Sequence, residues 1–486
     1  MTGAIGTRQL RRSLSGWQER GRGPTYQRLA EVLAALLIDG QLAVRTRLPS
    51  ERDLAAELGL SRTTVTSAYE RLREEGYLIS RQGSGSWTTL PTQRSAEMAP
   101  LTPGLARDDF LCLAVAAPEA PPGILEAATA AAAARLSTEL LDGHRMGGHG
   151  YHPAGLPELR ARIADRFTER GAPTTVEQIL ITNGAQGAIH LLAEHLLSPG
   201  DVVVVEQPTY PNALEAFRRT GARLVPLPVT AEGWDLDQLA DTLESVRPRL
   251  VYLQPDFHNP TGALMDDAGR ERLVAAARRA GTLLLIDETH VELPLSERVM
   301  PTPVAAMERD GRVVTIGSLS KVVWGGLRIG WIRTGPRLIA DLAAERSGID
   351  LSGPVLGHLI GVEVCARLPE ALAARREQLA RSRDLLSAAV TLHLPEWSFT
   401  LPDGGLCIWA KLDGPHSSEL EAAAGRHRIR LAAGPRFSVD GTLERFLRLP
   451  YTLPVDQLEP AIMRLAAVNA GLVSSRRPQS YAPLIA

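Results

Sequence analysis

The chain has 486 residues, of which 44% are apolar and 22% charged, as in a globular protein with a large core. At roughly 150 residues per folding unit, this length favours about three units. The formal net charge is −2, yet residues 1–90 carry 13 Arg against 9 acidic residues, so the N-terminal part is the one suited to a polyanion. Residues 1–24 contain no signal peptide and no run reaches about 18 apolar residues, so membrane insertion is not expected.

The sequence favours neither disulfides nor a metal site. Three cysteines lie far apart and match no CxxC or metal spacing, so a reduced cytoplasmic protein is the simplest account. His144, His149 and His152 also lack the spacing of metal ligands, and no metal is expected.

Three short helices are predicted between residues 25 and 75. The first has leucines at helical spacing and ends at Gly40. The second and third begin at the N-cap residues Ser50 and Ser61, and only Gly59 and Leu60 separate them. This is the spacing of a helix-turn-helix. A hairpin predicted over residues 77–88 follows directly, where a winged helix has its wing.

The start of the third helix carries hydroxyl and guanidinium side chains, and this is the end that enters a major groove. Residues 47–55, 61–65 and 81–85 closely resemble the DNA-binding domain of the GntR family, over residues 24–87 as a whole. A small helical domain for protein contacts is the alternative. The residues expected to bind DNA are Arg47, Ser50, Arg52, Ser61, Arg62, Thr63, Thr64, Ser67, Arg81 and Gly83.

Residues 88–110 are rich in Pro, Thr, Ala and Arg without an apolar period and are predicted to be a linker. Over residues 111–470 strands and helices alternate, and residues 471–486 are predicted to be a tail. The alternation predicts an α/β fold with a mostly parallel, doubly wound sheet, whose site lies at the carboxyl ends of the strands. The predicted strands are 179–182, 202–205, 250–253, 283–286, 313–316 and 329–332, with helices at 186–197 and 266–280.

Lys321 is one of only two lysines in the chain; the other is Lys411, and the remaining 51 basic residues are arginine. An amine can lose its proton and form an imine with an aldehyde, whereas guanidinium cannot. Lys321 is therefore the first candidate for covalent cofactor chemistry. A solvated surface lysine is the alternative, and it is the expectation for Lys411.

Polar residues at predicted strand ends suit the same chemistry. Residues 183–186 join a strand to a helix, whose N–H groups and positive end can hold a phosphate. Asp287 could pair with a protonated ring nitrogen, and the Asn259 amide with a phenolic oxygen. Arg328 offers a bidentate fork for a phosphate, and Tyr210 a ring for stacking. Taken singly, each also has an ordinary structural interpretation.

Together these motifs resemble fold-type-I pyridoxal-phosphate enzymes, the aspartate aminotransferase class, over about residues 111–470. The resemblance implies a large domain with a small C-terminal α+β subdomain. It implies that Lys321 forms the internal aldimine with pyridoxal 5'-phosphate, Asp287 meets the pyridine nitrogen and Asn259 the ring hydroxyl. Tyr210 would stack on the ring. The phosphate would be held by Gly184, Ala185, Gln186, Ser318 and Arg328.

Two further positions follow from the resemblance. Residues 446–449 look like the segment whose arginine binds a substrate carboxylate, which gives Arg448 that role and leaves Arg436 as runner-up. The family usually has a tyrosine shortly after the aspartate, hydrogen-bonded to the ring hydroxyl. His290 falls there in this chain and could donate a hydrogen bond, and its protonation state would then govern the imine.

A GntR-like winged helix joined to an aminotransferase-like domain is the layout of the MocR subfamily of bacterial regulators, which the chain resembles over nearly its whole length. The resemblance implies a homodimeric regulator that binds a double-stranded DNA operator and senses pyridoxal phosphate, an amine or an amino acid. One alternative is a working aminotransferase with an appended DNA-binding domain. Another is a DNA-binding protein whose large domain is only a dimerisation scaffold.

Overall fold

In the computed structural model the described residues are 3–19, 23–81, 85–91, 110–141 and 149–476. Several predicted features lie outside them: most of the linker (92–109), the end of the tail (477–486), His144, Gly83 and the side chain of Arg81. The described residues form an N-terminal domain and a large domain.

The N-terminal domain is the predicted winged helix with one further helix. Ser50 Oγ accepts a hydrogen bond from Asp53 N at 3.2 Å and Ser61 Oγ one from Thr64 N at 3.1 Å, so both predicted N-caps are confirmed. The two hairpin strands pair antiparallel. The elements are α1 (Thr7–Ser13), α2 (Thr25–Ile38), α3 (Glu51–Leu58), α4 (Arg62–Glu74), β1 (Leu78–Arg81) and β2 (Gly85–Thr88).

Helix α1 was not predicted. It is too short for a hydrophobic period, yet Leu10 in the helix and Leu14 and Trp17 after it are buried in the same core as Leu33 and Tyr69. The core of this domain therefore extends to residues before position 24, where the sequence motifs begin.

The large domain begins with the short strand β3 (Leu111–Cys112), followed by a central sheet of eight strands. All six predicted strands are confirmed, and each of five runs one or two residues past its predicted end. The sheet consists of β4 (Ile179–Asn183), β5 (Val202–Gln207), β6 (Arg223–Thr230), β7 (Gly233–Trp234), β8 (Leu250–Leu253), β9 (Leu283–Asp287), β10 (Val313–Ser318) and β11 (Ile329–Arg333).

The strand order in this sheet is β4-β11-β10-β9-β8-β5-β6-β7. Strands β6, β5, β8, β9 and β10 are parallel neighbours, whereas β11 runs antiparallel to β10 and β4, and the edge strand β7 antiparallel to β6. The link between β10 and β11, residues 319–328, is too short for a crossover helix, which explains the reversal of β11. The predicted mostly parallel sheet is thus confirmed, with two reversed strands.

Helices cover both faces of the sheet. On β5, Val204 belongs to one apolar cluster while Val203 and Val205 belong to another, because successive side chains point to opposite faces. The helices of the large domain are α5 (Ile124–Leu141), α6 (Pro157–Glu169), α7 (Gly184–Leu196), α8 (Pro211–Arg219), α9 (Leu236–Val246), α10 (Asp267–Ala280), α11 (Val304–Met307), α12 (Pro336–Glu345), α13 (Val355–Ala366), α14 (Leu368–His393), α15 (Ser417–Arg426) and α16 (Val455–Arg476).

The C-terminal part forms a smaller α+β unit. A three-stranded antiparallel sheet has the order β12-β15-β14, and the first strand of the large domain, β3, pairs in parallel with β13. Helix α16 continues beyond residue 470, where the large domain was predicted to end. Within the described ranges no helix is long and apolar enough to span a bilayer. The four strands are β12 (Cys407–Lys411), β13 (Ile429–Arg430), β14 (Ala432–Ala433) and β15 (Phe446–Pro450).

Candidate functional site

A cavity lies at the carboxyl ends of the central strands. Strand β9 ends at Asp287 and β10 at Ser318, and the turn after β10 brings Lys321 to the same place. This is where an open α/β sheet forms its ligand site. The cavity is lined by Ala114, Val115, Ala116, Ala185, Gln186, Tyr210, Asn212, Gln254, Asn259, Asp287, Thr289, His290, Ser318, Ser320, Lys321, Arg328 and Arg448.

The structure brings nearly every predicted cofactor residue to this cavity. The exception is Gly184, which begins helix α7 directly before the lining residue Ala185. Sequence reasoning missed Asn212 and Ser320, although both lie inside the motifs that selected Tyr210 and Lys321. It also missed residues 114–116, which lie between the linker and the first helix of the large domain and belong to no recognised motif.

Lys321 lies half-buried in the cavity wall. Its Nζ donates a hydrogen bond to the Ala116 carbonyl oxygen at 2.7 Å. Burial, reinforced by the positive charge of Arg448, lowers the pKa of the Lys321 amine to about 8, although Asp287 acts in the opposite direction. The neutral, nucleophilic amine is therefore accessible near neutral pH.

This lowered pKa predicts the pH dependence of covalent cofactor binding. Because only the neutral amine attacks an aldehyde, the initial rate of pyridoxal-phosphate binding should rise about tenfold per pH unit below the pKa and level off above about pH 8. Nα-acetyl-lysine, reacted under the same conditions, corrects for the titration of the cofactor. Stopped-flow absorbance measures both rates, and an inflection near the ordinary lysine value of 10.5 would contradict the burial argument.

Asp287 is held by two donors. Tyr252 Oη donates to Asp287 Oδ2 at 2.7 Å, and the Thr289 backbone N–H donates to Oδ1 at 3.0 Å. Burial raises the pKa of the Asp287 carboxyl. Both oxygens keep lone pairs, so the group can still accept a hydrogen bond from a cationic ring nitrogen. Tyr252, on the buried strand β8, was not selected from the sequence because an apolar strand pattern favours a plain core residue.

At one end of the cavity the start of α7 meets Arg328. Gly184 has φ +71°, which favours glycine, and a Cβ there would lie 2.7 Å from Arg328 Nη2, so a larger residue would also displace the guanidinium. Arg328 Nη2 donates to the Asn183 carbonyl oxygen at 2.6 Å. A helix N-terminus beside a guanidinium is suited to a phosphate.

Buried polar atoms without partners test whether the site fits a polar ligand. Gln186 Oε1, Asn212 Oδ1 and Arg448 Nε have no hydrogen-bond partner among the described residues. A buried polar atom left unpaired is costly, so these atoms fit a site completed by a ligand. With Lys321 and Arg328 also present, the cavity suits an anionic aldehyde such as pyridoxal phosphate.

Ser318 is less available than the sequence suggested. Its Oγ lies 2.8 Å from the Ile329 carbonyl oxygen and 2.8 Å from Ser320 Oγ, and it accepts a hydrogen bond from Ser320 N at 3.1 Å. These hydrogen bonds of Ser318 stabilise the turn that carries Lys321. Ser320, which also lines the cavity, is an additional hydroxyl for a phosphate.

The two candidate carboxylate-binding arginines have different environments. Arg448 is buried in the cavity wall, donates from Nη1 to Asn259 Oδ1 at 3.2 Å and hydrogen-bonds the Ala114 carbonyl oxygen. Its guanidinium lies 4.8 Å from the centre of the Phe437 ring. Arg436 instead pairs with Glu421 at 2.5 Å and does not line the cavity. The geometry therefore favours Arg448.

His290 lines the cavity in a form that differs from the expectation. Its Nδ1 lies 3.0 Å from the Phe257 carbonyl oxygen, which can only accept, so Nδ1 carries the hydrogen. Burial, then the charge of Lys321, lowers the pKa of His290 to about 3. The ring is neutral near neutral pH and its Nε2 is an acceptor. The expected hydrogen-bond donation from His290 to a ring hydroxyl is therefore not available in this form.

The predicted DNA-binding residues lie around α4. Ser61, Arg62 and Thr63 are exposed at the start of the helix, while Thr64 and Ser67 are half-buried. Ser50 and Ser61 also serve as N-caps. Two predicted arginines precede α4. The side chain of Arg52 is 84% exposed, and that of Arg47 lies beside Gly85 of the hairpin. An exposed, hydroxyl-rich and cationic helix start is suited to a major groove.

A doubly wound sheet with a half-buried lysine just after a strand, a carboxylate and a helix N-terminus around one cavity defines the class of fold-type-I pyridoxal-phosphate proteins. Comparison with protein families agrees: "Aminotransferase class I and II" matches residues 121–465, and "Bacterial regulatory proteins, gntR family" matches residues 25–87. The chain belongs to the GntR-type regulators of the MocR subfamily, in which a GntR domain precedes an aminotransferase-like domain.

Individual relatives include both regulators and enzymes. The chain is 35% identical to the "Probable rhizopine catabolism regulatory protein MocR" of Rhizobium meliloti over 65% of its own length and 66% of that protein. It is 31% identical to the "Uncharacterized HTH-type transcriptional regulator YdcR" of Escherichia coli, over 87% of this chain and 94% of that one. Among solved structures, LysN, the alpha-aminoadipate aminotransferase of Thermus thermophilus complexed with N-(5'-phosphopyridoxyl)-L-leucine, has a TM-score of 0.69 at 30% identity, covering 76% of this chain and 94% of that one.

Proposed function

We propose that this regulator senses an amine or amino acid, or pyridoxal phosphate itself, in the cavity around Lys321 and changes its affinity for a DNA operator in response. The observation that carries this proposal is the coexistence in one chain of a reactive, half-buried lysine and an exposed cationic helix start. The first suits an aldehyde cofactor and the second suits DNA. We place this function in the cytoplasm, where the DNA lies.

Pyridoxal phosphate, when bound, would supply an aldehyde for covalent linkage to an amine and an electron-withdrawing ring. In this proposal Lys321 would bind the aldehyde, Asp287 would orient the ring through its nitrogen, and Asn259 would contact the ring oxygen. Tyr210 would pack against the ring. The start of α7, Ser320 and Arg328 would hold the phosphate, and Arg448 would hold an effector carboxylate.

The state of His290 favours sensing over rapid turnover. In the related aminotransferases a tyrosine hydroxyl donates a hydrogen bond to the ring oxygen, whereas the neutral His290 offers an acceptor at Nε2. The negative charge on that oxygen loses one stabilising donor. A working aminotransferase remains the second candidate, because Lys321 has the lowered pKa that a proton-transferring base needs.

A homodimer is part of the proposal. Large apolar side chains of the large domain are exposed: Trp324 is 42%, Ile349 52% and Tyr151 54% exposed. Two of them lie close in sequence to a connected set of contacts, in which Arg328 Nη2 donates to the Asn183 carbonyl oxygen and the Asn183 amide donates to Asp350 at 3.3 Å. Exposed apolar side chains of this size favour a protein interface, and a second copy of the chain is its simplest partner.

The test compares DNA affinity between the apo protein, the protein loaded with pyridoxal phosphate, and the loaded protein with each common L-amino acid. The duplex is one selected from a random library with the wild-type protein, and fluorescence anisotropy measures the dissociation constant. At least one addition should change that constant by about fivefold or more. Equal affinity in all states would refute the sensor, and steady release of keto acid at enzymatic rates would favour the aminotransferase.

A further inference from the structure

The end of helix α2 in the N-terminal domain is docked on residues 438–445 of the large domain. Leu443 N donates a hydrogen bond to the Ile38 carbonyl oxygen at 2.6 Å, and Val44 N donates to Asp440 Oδ2 at 3.1 Å. Leu443 is buried and has φ +74°, a conformation that a residue of this type adopts only when its surroundings impose it. We refer to residues 438–445 as the docking segment.

Gly40 is packed against this segment without space for a side chain. A Cβ at Gly40 would lie 2.9 Å from Leu443 Cδ2, 3.2 Å from Thr442 Oγ1 and 3.3 Å from Gln207 Nε2, and its φ is +70°. The turn after α2 therefore contacts the large domain at van der Waals distance. Such close packing makes the position of α2 sensitive to small displacements of the docking segment.

An ion pair flanks the packed contact. The Asp39 carboxylate, whose side chain is only 11% exposed, lies 3.2 Å from Lys411 Nζ and 3.4 Å from Arg445 Nε. Lys411 is the second of the two lysines of the chain, and the sequence predicted an ordinary surface position for it. Its side chain is 45% exposed, as that prediction has it, and it also joins the large domain to the N-terminal domain, where a half-buried ion pair is worth more than an exposed one.

The other side of the docking segment is connected to the cavity. Gln207, at the end of β5, accepts a hydrogen bond from Val439 N at 2.8 Å and donates from Nε2 to Thr442 Oγ1 at 3.2 Å. Three residues further along the chain, Tyr210 lines the cavity. Thr209 N also donates to the Phe437 carbonyl oxygen at 2.9 Å.

Phe437 provides a second connection. The Arg448 guanidinium lies 4.8 Å from the centre of the Phe437 ring. The docking segment begins at the next residue after Phe437. A carboxylate bound by Arg448 would draw the guanidinium toward the cavity and alter its contact with this ring. The segment thus contacts, through single residues, both the proposed cofactor ring position and the proposed carboxylate position.

We propose that the docking segment is the surface by which the large domain holds the DNA-binding domain of its own chain, and that occupation of the cavity weakens or strengthens this hold. The proposal rests on the proposed function, since it names the route by which sensing reaches DNA. The attachment between the two domains combines the Asp39–Lys411 ion pair with the packing of Gly40 against Leu443.

The test reverses the ion pair in the full-length protein. In Asp39→Lys three positive groups face each other. In Lys411→Asp two carboxylates share the one remaining cation of the cluster, Arg445, so either single variant should loosen the attachment of α2. Hydrogen exchange of the peptide containing Val44 should become about tenfold faster in both. The ratio of DNA dissociation constants with and without pyridoxal phosphate, or with the amino acid active on the wild type, should approach 1.

The double variant Asp39→Lys/Lys411→Asp restores one pair of opposite charges, while Arg445 then repels the positive side chain at position 39. It should therefore restore part of the slow exchange and part of the ligand-dependent ratio, which a folding defect would not do. None of these residues lines the cavity, so the visible absorption of bound pyridoxal phosphate should stay unchanged in all three proteins. Single variants that keep the wild-type ratio would overturn the docking proposal and leave the sensor intact. A wild type without any ligand dependence would instead overturn the sensor and, with it, this route.

Discussion

Replacing Lys321 with alanine is expected to abolish covalent binding of pyridoxal phosphate completely. Lys321 supplies the amine that lines the cavity, and its lowered pKa of about 8 leaves a reactive fraction at neutral pH. Purified Lys321→Ala should lack the visible absorption that marks a lysine linked to the cofactor. After borohydride reduction of the wild type, mass spectrometry should find the phosphopyridoxyl group on the peptide that carries Lys321.

The scarcity of lysine supplies matched controls for this experiment. Lys411→Ala removes the other lysine side chain of the chain and should keep the absorption unchanged. Lys321→Arg keeps a positive charge but cannot form an imine, so it should lose the absorption as fully as the alanine variant. Retention of the band in Lys321→Arg, or a label on Lys411, would be incompatible with the proposed site.

The second large effect is expected at the start of α4. Arg62 is exposed at the first position of this helix. Arg62→Ala should weaken binding to the selected duplex by about 1–3 kcal/mol if the side chain reads a base edge, a loss of roughly fivefold to 150-fold. If it contacts a phosphate instead, the slope of log affinity against log salt should decrease by about 1.

The control for Arg62 is another exposed arginine far from the winged helix. Arg337, near the start of α12 in the large domain, meets this description, and Arg337→Ala should bind the duplex as the wild type does. Fluorescence anisotropy at several salt concentrations measures both variants. Equal losses for Arg62→Ala and Arg337→Ala would indicate a non-specific charge effect and argue against insertion of α4 into the major groove.

The sequence was sufficient for the features that depend on local pattern. Short helices with N-caps at Ser50 and Ser61, apolar strand runs, and polar residues at strand ends are all encoded within a few residues of one another. Because carboxyl ends of neighbouring parallel strands meet, placing Asp287 and Lys321 in one cavity required no knowledge of distant contacts. Most of the fold and most of the cavity wall depend on such local patterns and could be predicted from the sequence.

The features that escaped prediction depend on distant parts of the chain. Tyr252 becomes important only because β8 and β9 are neighbours, which sets its hydroxyl against Asp287. His290 was identified by position, but its hydrogen-bonding state depends on the Phe257 carbonyl oxygen, 33 residues away in sequence. Lys411 lies at the surface as predicted, but its ion pair could not be foreseen because its partner, Asp39, belongs to another domain.

The pairing of β3 with β13 limits how the large domain can be produced alone. Leu111 and Leu113 hydrogen-bond to the backbone of residues 428 and 430, and the residues that follow supply the carbonyl oxygens of Ala114 and Ala116 to Arg448 and Lys321. A truncation that begins at residue 117, just before the first helix of the large domain, would remove part of the cavity wall together with the linker. An isolated sensor domain intended for ligand screening therefore has to retain residues from 110 onward.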